Sequence, residues 1–124
     1  MTIEELITEV KNAADEVWSV LGSGFLENVY KKAFLQELKL RGIECREEVE
    51  VDVFYKGINA GIYKIDLLVD NRLIVELKAT TNVSRLHSVQ LVNYLSATGI
   101  DNGLLINFGG ACLYKIDKTR LYNK

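Results

Sequence analysis

The chain has 124 residues, of which 48% are hydrophobic and 26% charged, with a formal net charge of −2. This length can bury one hydrophobic core but not two, so we expect a single domain over residues 1–124. With a pI near 5.4, the composition argues against a protein that holds nucleic acid by bulk electrostatics alone, because such binding needs a basic surface.

The chain also lacks the usual signals for export or membrane insertion. No apolar run reaches the ~18 residues of a membrane span, and the N-terminus lacks the basic start and apolar stretch of a signal peptide. A cytoplasmic location without membrane attachment is therefore expected. The two cysteines, Cys45 and Cys112, have no C-x-x-C spacing, which favours buried free thiols over a disulfide or a zinc site.

Two helices are predicted at the beginning of the chain. Thr2 and Glu5 form a T-x-x-E capping box, and apolar residues recur at helical spacing as far as Leu21. The segment Gly22-Ser23-Gly24 ends this helix, and a second helix is expected from about Leu26 to Arg41. The apolar face of the second helix is predicted to contain Leu26, Val29, Tyr30, Ala33, Phe34 and Leu38.

Alternating polar and apolar residues then predict an antiparallel meander of three strands. Residues 48–53 are typical of a half-buried strand, and Lys56-Gly57 is typical of a turn. Residues 62–69 and 73–79 form the other two predicted strands, which flank the turn-forming segment Asp70-Asn71-Arg72.

A third helix and two strands complete the predicted order ααβββαββ. The helix is expected from about Ser84 to Thr98, followed by a fully buried strand from Gly103 to Phe108 and a last strand from Ala111 to Ile116. This order predicts an α/β or α+β fold in which helices flank the β-sheet.

The hairpin between the second and third predicted strands brings charged side chains together. A three-residue loop pairs Val69 with Leu73, and counting back from that pair places Asp66 opposite Glu76. Residues two apart in a strand share a face, so Glu76 and Lys78 point the same way while the residue between them is buried on the other side.

This arrangement makes the hairpin a candidate metal site. Opposed cross-strand side chains have Cβ atoms about 4.5–5.5 Å apart, and two carboxylates so placed repel each other unless a cation lies between them. A bound Mg²⁺ would remove the repulsion between Asp66 and Glu76. Two alternatives stay open: a two-residue loop would put Asp66 on the other face, and a Glu-x-Lys pair on a strand is often only a solvated ion pair.

Polar residues on the second and third helices are further candidates. Glu27 lies next to Tyr30 on the helix surface, although a carboxylate near a helix N-terminus is also favourable for the dipole alone. Gln90 and Tyr94 share one stripe of the third helix, and His87 lies a turn earlier, where a solvent-facing role is the simpler interpretation. Basic residues that could form charged edges or only a solvated face are Lys31, Lys32, Lys39, Arg41, Lys115, Lys118, Arg120 and Lys124.

Five blocks of the sequence resemble a known protein family. They are LGSGFLENVY (21–30), YKIDLLV (63–69), IVELKA (74–79), QLVNY (90–94) and GLLINF (103–108). The first resembles the signature of the GxxExxY proteins, a small bacterial and archaeal group in the PD-(D/E)xK nuclease superfamily. The spacing of Gln90 and Tyr94 is similar to the helix motif of RecB-like and lambda-exonuclease-like members, where it supports the active site.

The chain departs from the GxxExxY pattern at two positions. Trp18 stands where the family often has a histidine, so the resemblance implies no ligand or proton-transfer role there. Ser23 replaces the proline that is usual between the two glycines, a change that affects the stiffness of the loop.

The resemblance implies a restriction-endonuclease-like core with a mixed sheet and a metal-dependent active site. Asp66, Glu76 and the backbone carbonyl of Leu77 would hold Mg²⁺ or Mn²⁺, with Glu27 in the outer shell. Lys78 would orient or deprotonate the attacking water or stabilise charge on the phosphorane. Gln90 and Tyr94 would position the phosphate or the lysine.

The expected function is therefore a nuclease that hydrolyses phosphodiester bonds in DNA or in RNA, with DNA favoured. The alternative is a non-catalytic module that uses the same groove to bind nucleic acid or a protein partner, an interpretation consistent with the acidic pI and the small size. A two-fold homodimer is a third alternative, since many small nucleases span a duplex by symmetry.

Overall fold

The computed structural model describes residues 1–81 and 85–109, together with the backbone of residues 114–118. Its elements are α1 (Ile3–Leu21), α2 (Glu27–Leu40), β1 (Cys45–Tyr55), β2 (Ile58–Val69), β3 (Leu73–Lys78), α3 (Arg85–Thr98), β4 (Asn102–Asn107) and β5 (Tyr114–Lys118). The predicted order ααβββαββ is confirmed. Ser84 and residues 111–113 lie outside the described residues, and the last strand continues past the predicted Ile116 to Lys118.

The two N-terminal helices form where the capping signals predict. The Thr2 hydroxyl accepts a hydrogen bond from the Glu5 N–H at 3.1 Å, and the Glu5 carboxylate accepts one from the Thr2 N–H at 2.7 Å. Gly22 ends α1 with φ of 69°, a left-handed conformation that favours glycine, and its N–H donates to the Trp18 carbonyl.

The sheet is mixed, with strand order β1-β2-β3-β4-β5. The strands β3 and β4 are parallel, and the other neighbours are antiparallel, so β1 to β3 form the predicted meander. The loop at residues 70–72 pairs Val69 with Leu73 and Leu67 with Val75, which confirms the three-residue hairpin. The parallel pair is connected through α3, which therefore crosses one face of the sheet.

The helices cover the two faces of the sheet unequally. One face packs against α1 and α2 in a buried apolar cluster that includes Leu6, Phe34, Leu77 and Ile106. The other face packs against α3 in a separate cluster that includes Ile74 and Leu91.

Part of the predicted apolar face of α2 is exposed. Tyr30, Phe34 and Leu38 are buried, but Leu26 is 80% exposed and Val29 is also exposed, so the first two residues of the predicted apolar face lie outside the core. Leu26 occupies the N-cap position of α2, where its side chain makes no capping hydrogen bond, and the adjacent Glu27 lines an open pocket. The first turn of α2 therefore lies at the rim of the core.

Two smaller predictions concern the cysteines and the membrane. Cys45 is a free, half-buried thiol, and burial, with the charges of Glu47 and Asp66, raises its pKa to about 12. Cys112 lies outside the described residues. Among the helices that the structure describes, none is both long and apolar enough to cross a bilayer.

Candidate active site

An open pocket of about 240 Å³ brings together side chains from both sides of the hairpin and from two helices. Its lining residues are Glu27, Glu48, Lys64, Ile65, Asp66, Glu76, Lys78, Gln90 and Tyr94. All six side chains that the sequence nominated are in this set. Leu77, the neighbour of Glu76 and Lys78, points to the opposite face and is fully buried.

The pocket lies at an irregularity of the sheet. Ile65 packs in the cluster beneath α3, whereas Leu67 packs in the cluster beneath α1 and α2. Residues two apart in a regular strand share a face, so β2 changes face at Asp66. On the partner strand, Glu48 has a φ of 49°, which is unusual for a residue with a side chain. The simple alternation assumed from the sequence therefore ends at the proposed metal ligand.

The carboxylates of Asp66 and Glu76 are tied to the backbone where regular pairing of β2 with β3 ends. The Asp66 N–H donates to Glu76 Oε1 at 3.1 Å, and the Leu77 N–H donates to Asp66 Oδ2 at 3.0 Å. These two bonds replace strand-to-strand hydrogen bonds beyond the Leu67–Val75 pair. Both carboxylates are thereby oriented by main-chain donors, which gives the site a defined geometry.

The two carboxylates nevertheless differ, because Lys31 neutralises only one of them. Lys31 Nζ lies 2.7 Å from Asp66 Oδ1, and the two side chains are 14% and 15% exposed. Burial by itself lowers the pKa of Lys31, but the hydrogen bond and charge of Asp66, helped by Glu47 and Glu48, outweigh it and the pKa is raised.

Lys31 was expected on a charged edge or a solvated face, and that expectation was wrong. Lys31 follows Glu27 by four positions on α2, so the helical spacing that directed Glu27 to the site could have identified it. The sequence also predicted that Asp66 and Glu76 repel each other with no compensating charge unless a metal binds. That prediction was wrong for Asp66, because it already has a cationic partner.

Glu76 is the carboxylate that lacks such neutralisation. It is 6% exposed, and burial first, then the negative charge of Asp66, raise its pKa to about 7. The Asp66 N–H and the Lys78 ammonium oppose this shift, and Glu27 adds to it. A cation bound next to Glu76 would favour the charged form of this buried carboxylate.

The helix α3 closes the pocket with Gln90 and Tyr94. Tyr94 is buried, and its ring lies 6.1 Å from that of Tyr63. Burial, then the charge of Glu76, raises the Tyr94 pKa, so the phenol stays protonated and able to donate a hydrogen bond. His87 lines the neighbouring groove rather than this pocket, and burial and Lys78 lower its pKa while Glu27 opposes them.

Tyr30 of the glycine-rich signature has a structural role. Its hydroxyl donates to the Gly22 carbonyl at 2.6 Å and accepts from the Phe25 N–H at 3.3 Å, and its ring stacks on Phe108 at 4.8 Å. Tyr30 therefore anchors the loop that leads to Glu27. Trp18 packs against the core, and Phe25 lies against the Tyr30 ring.

The donor set suits a hard cation with few protein ligands. Within residues 1–81 and 85–109, no three His, Cys, Asp or Glu side chains are placed to form a metal cage. Asp66 and Glu76 supply two carboxylates, however, and Mg²⁺ is typically held by one or two carboxylates while it keeps several waters. The buried, incompletely neutralised Glu76 is the observation in favour of a cation here.

The expected basic edge near α2 is discontinuous. Arg41 is bound to Glu37 at 2.8 Å and to Glu9 at 3.3 Å, and Lys31 is bound to Asp66 at 2.7 Å. Lys32 and Lys39 are exposed. The side chains of the remaining basic candidates, Lys115, Lys118, Arg120 and Lys124, lie outside the described residues.

Comparison with known proteins identifies the family and supports the fold. The family model of the PD-(D/E)XK nuclease superfamily matches residues 4–119. The crystal structure of SSO0001 superimposes with a TM-score of 0.57 at 17% identity, and the match covers 77% of this chain and 50% of that one. The chain thus spans half the length of this solved structure, and the likeness concerns the fold. No protein of curated function matches the chain.

Proposed function

The chain belongs to the PD-(D/E)XK nuclease superfamily and has a restriction-endonuclease-like fold, and we propose that it is a metal-dependent nuclease that hydrolyses DNA. The observation that carries the proposal is the meeting of Asp66, Glu76 and Lys78 in one pocket. We further propose that it is a GxxExxY-type protein with a single domain and that it acts in the cytoplasm. RNA is the alternative substrate, and a homodimer is the assembly we consider for cleavage of both strands.

The carboxylates define where a cation would bind. Asp66, Glu76 and the backbone carbonyl of Leu77 would hold Mg²⁺ or Mn²⁺, and Glu27 would contact its water shell. When bound, the cation would polarise the scissile phosphate and lower the pKa of a water molecule. The hydrogen bonds from the Asp66 and Leu77 N–H groups keep both carboxylates oriented toward the same pocket.

The remaining side chains would act on the phosphate and the attacking water. Lys78, half-buried in the pocket, is a compact positive charge that can orient water or stabilise the negative charge that develops on the phosphate. Tyr94 can donate a hydrogen bond from its phenol, and Gln90 from its amide, to a phosphate oxygen. Lys31 holds Asp66 in place through its ion pair with Oδ1.

A cleavage panel tests this proposal. Single-stranded, duplex, flapped and branched DNA and RNA would be incubated with the protein and Mg²⁺ or Mn²⁺, with EDTA as the metal-free reference. We expect cleavage of at least one DNA that needs the cation and is lost in Lys78→Ala. The matched control is Lys56→Ala, which removes the same charge at the exposed β1–β2 turn. Absence of metal-dependent cleavage on every substrate would contradict the proposal.

A second function, a non-catalytic nucleic-acid-binding module, is favoured by one observation. Lys31 already neutralises Asp66, so the pocket can be stable without a metal. This alternative predicts no cleavage, together with nucleic-acid affinity that survives Lys78→Ala. Because Lys31 and Arg41 are paired with acids, the exposed Lys32 and Lys39 are the residues to neutralise in its test.

A further inference from the structure

Two grooves continue from the candidate active site along α3. The first, of about 310 Å³, shares Gln90 and Tyr94 with the active-site pocket. The second, of about 460 Å³, shares Tyr63 and Asn93 with the first. The three concavities therefore form one track, which starts at the carboxylates and runs between α3 and the β1–β2 ribbon.

The lining of the first groove differs chemically from that of the active-site pocket. The pocket carries four carboxylates, whereas the first groove is lined by aromatic, apolar and amide side chains and by His87. Tyr63 is 52% exposed although its ring touches Tyr94, so one part of the ring is available to a ligand. Leu86 and Val89 are exposed apolar residues on the opposite wall.

We propose that this track is a binding subsite for the unpaired bases of a single-stranded nucleic acid segment that leads into the active site. A base stacks on the exposed part of the Tyr63 ring, because every base has a π-face that an aromatic side chain can cover. The amides of Asn93 and Gln90 offer both donors and acceptors to the base edges. The inference rests on the proposed function, and it names single-stranded nucleic acid as the substrate class.

The charges along the track favour one strand over a duplex. Acidic residues, Glu48 in the pocket and Asp52 in the second groove, lie at the two ends of the first groove. A duplex places phosphates along both of its edges, and these carboxylates would repel them. A single strand can turn its uncharged bases into the groove and its phosphates outward, so it avoids most of that repulsion.

Fluorescence anisotropy with short labelled oligonucleotides tests the proposal. The probes are a 12-nucleotide oligodeoxyuridylate, the oligouridylate with the same bases and a 12-base-pair DNA duplex, each measured in EDTA and again with Ca²⁺, which binds hard oxygen ligands as Mg²⁺ does. We expect tighter binding of the single strands than of the duplex. A difference between the two single strands identifies DNA or RNA as the preferred form.

The variants separate stacking from general effects. Tyr63→Ala should weaken single-strand binding about tenfold, the loss of about one stacked base, whereas Tyr63→Phe should stay within about twofold of the wild type. The matched control is Tyr55→Ala, because Tyr55 belongs to the same ribbon, is 61% exposed against 52% for Tyr63, and lines none of the three concavities. Equal loss in Tyr55→Ala, no loss in Tyr63→Ala, or no single-strand binding by the wild type would overturn the proposal.

A second measurement covers a Tyr63→Ala protein that fails to fold. Photocrosslinking of a 5-iodouracil oligonucleotide to the wild-type protein, read by mass spectrometry, should label Tyr63 and spare Tyr55; crosslinks confined to other parts of the chain would refute the subsite. The result is independent of catalysis. Tyr63-dependent binding without any cleavage would leave the subsite intact and remove the nuclease proposal, and cleavage with binding independent of Tyr63 would do the reverse.

Discussion

The two faces of the β-sheet differ in how much of their surface is closed by helices. The face beneath α1 and α2 is a continuous apolar cluster, and its members on β3 and β4, such as Leu77 and Ile106, are fully buried. The face beneath α3 has a smaller cluster, and beside it lie the pocket and the grooves. Adjacent residues of β3 belong to different faces, so one strand contributes both to stability and to chemistry.

This division explains how a small chain can hold charged groups on a rigid support. The α1–α2 face supplies apolar burial that fixes β2 and β3, and the open face can then carry Asp66, Glu76 and Lys78 at defined positions. Substitutions on the two faces should therefore separate effects on stability from effects on activity.

The largest effect on stability should come from the closed face. Leu77→Ala should lower the free energy of unfolding by about 2–5 kcal/mol, because it removes a fully buried side chain and leaves a cavity. Val89→Ala, on the exposed surface of α3, should change it by less than about 0.5 kcal/mol. Urea unfolding measures both values. Similar losses of stability in the two variants would contradict the proposed difference between the two faces of the sheet.

Next in size is a pH effect from Glu76. Its pKa is raised to about 7 in the folded protein from an ordinary value of 4.5, so between these values the folded state binds more protons than the unfolded state. The stability of the metal-free protein should therefore fall as the pH rises through this window, by roughly 3 kcal/mol, and stay level above it. Thermal unfolding in EDTA measures this dependence.

The matched variant for this pH effect is Glu76→Gln. It should remove this component of the pH dependence and be more stable than the wild type at pH 8, since the amide carries no charge to bury. An unchanged pH profile in Glu76→Gln would show that Glu76 does not titrate in this window.

In the metal-free protein, Asp66→Asn should lower the free energy of unfolding, whereas Glu76→Gln should raise it. Asp66 Oδ1 accepts from Lys31 and Oδ2 from the Leu77 N–H, and an amide can satisfy only one of these donors. We expect a loss of about 1–3 kcal/mol, the cost of a buried polar group without its partner. Lys31→Met should also be destabilising, and added Mn²⁺ should stabilise it more than the wild type. Stabilisation by Asp66→Asn would refute the role assigned to Lys31.

The smallest effect on stability should come from the rim of the open face, where a substitution should act mainly on cleavage. Glu27→Gln should reduce cleavage by about 10–100-fold, as expected for an exposed residue that orients the water shell of a cation. Its effect on stability should be below about 1 kcal/mol, the size of the favourable interaction of this carboxylate with the N-terminus of α2. Glu16→Gln, on the exposed surface of α1, is the control and should leave both unchanged. Calorimetric titration should show that Glu27→Gln binds Mn²⁺ more weakly than the wild type does, whereas Glu16→Gln binds it as the wild type does.

The closed face was the more predictable region from sequence. The capping box of Thr2 and Glu5 defines where α1 begins, and the hairpin loop sets the Val69–Leu73 pair, because both depend on neighbouring residues. The open face depends on tertiary contacts. The change of face at Asp66 and the pairing of Lys31 with Asp66 join separate elements, and neither has a local signal as strong.

The central claim is that the pocket hydrolyses phosphodiesters, and a single-turnover cleavage assay tests it most directly. Wild type, Lys78→Ala and Lys56→Ala would be purified in parallel and assayed with Mg²⁺ on the substrate that the panel identifies. Lys78→Ala should lose about 10²–10⁴-fold in rate while it keeps its fold and its Mn²⁺ affinity, and Lys56→Ala should match the wild type. Undiminished cleavage by Lys78→Ala protein would contradict the claim.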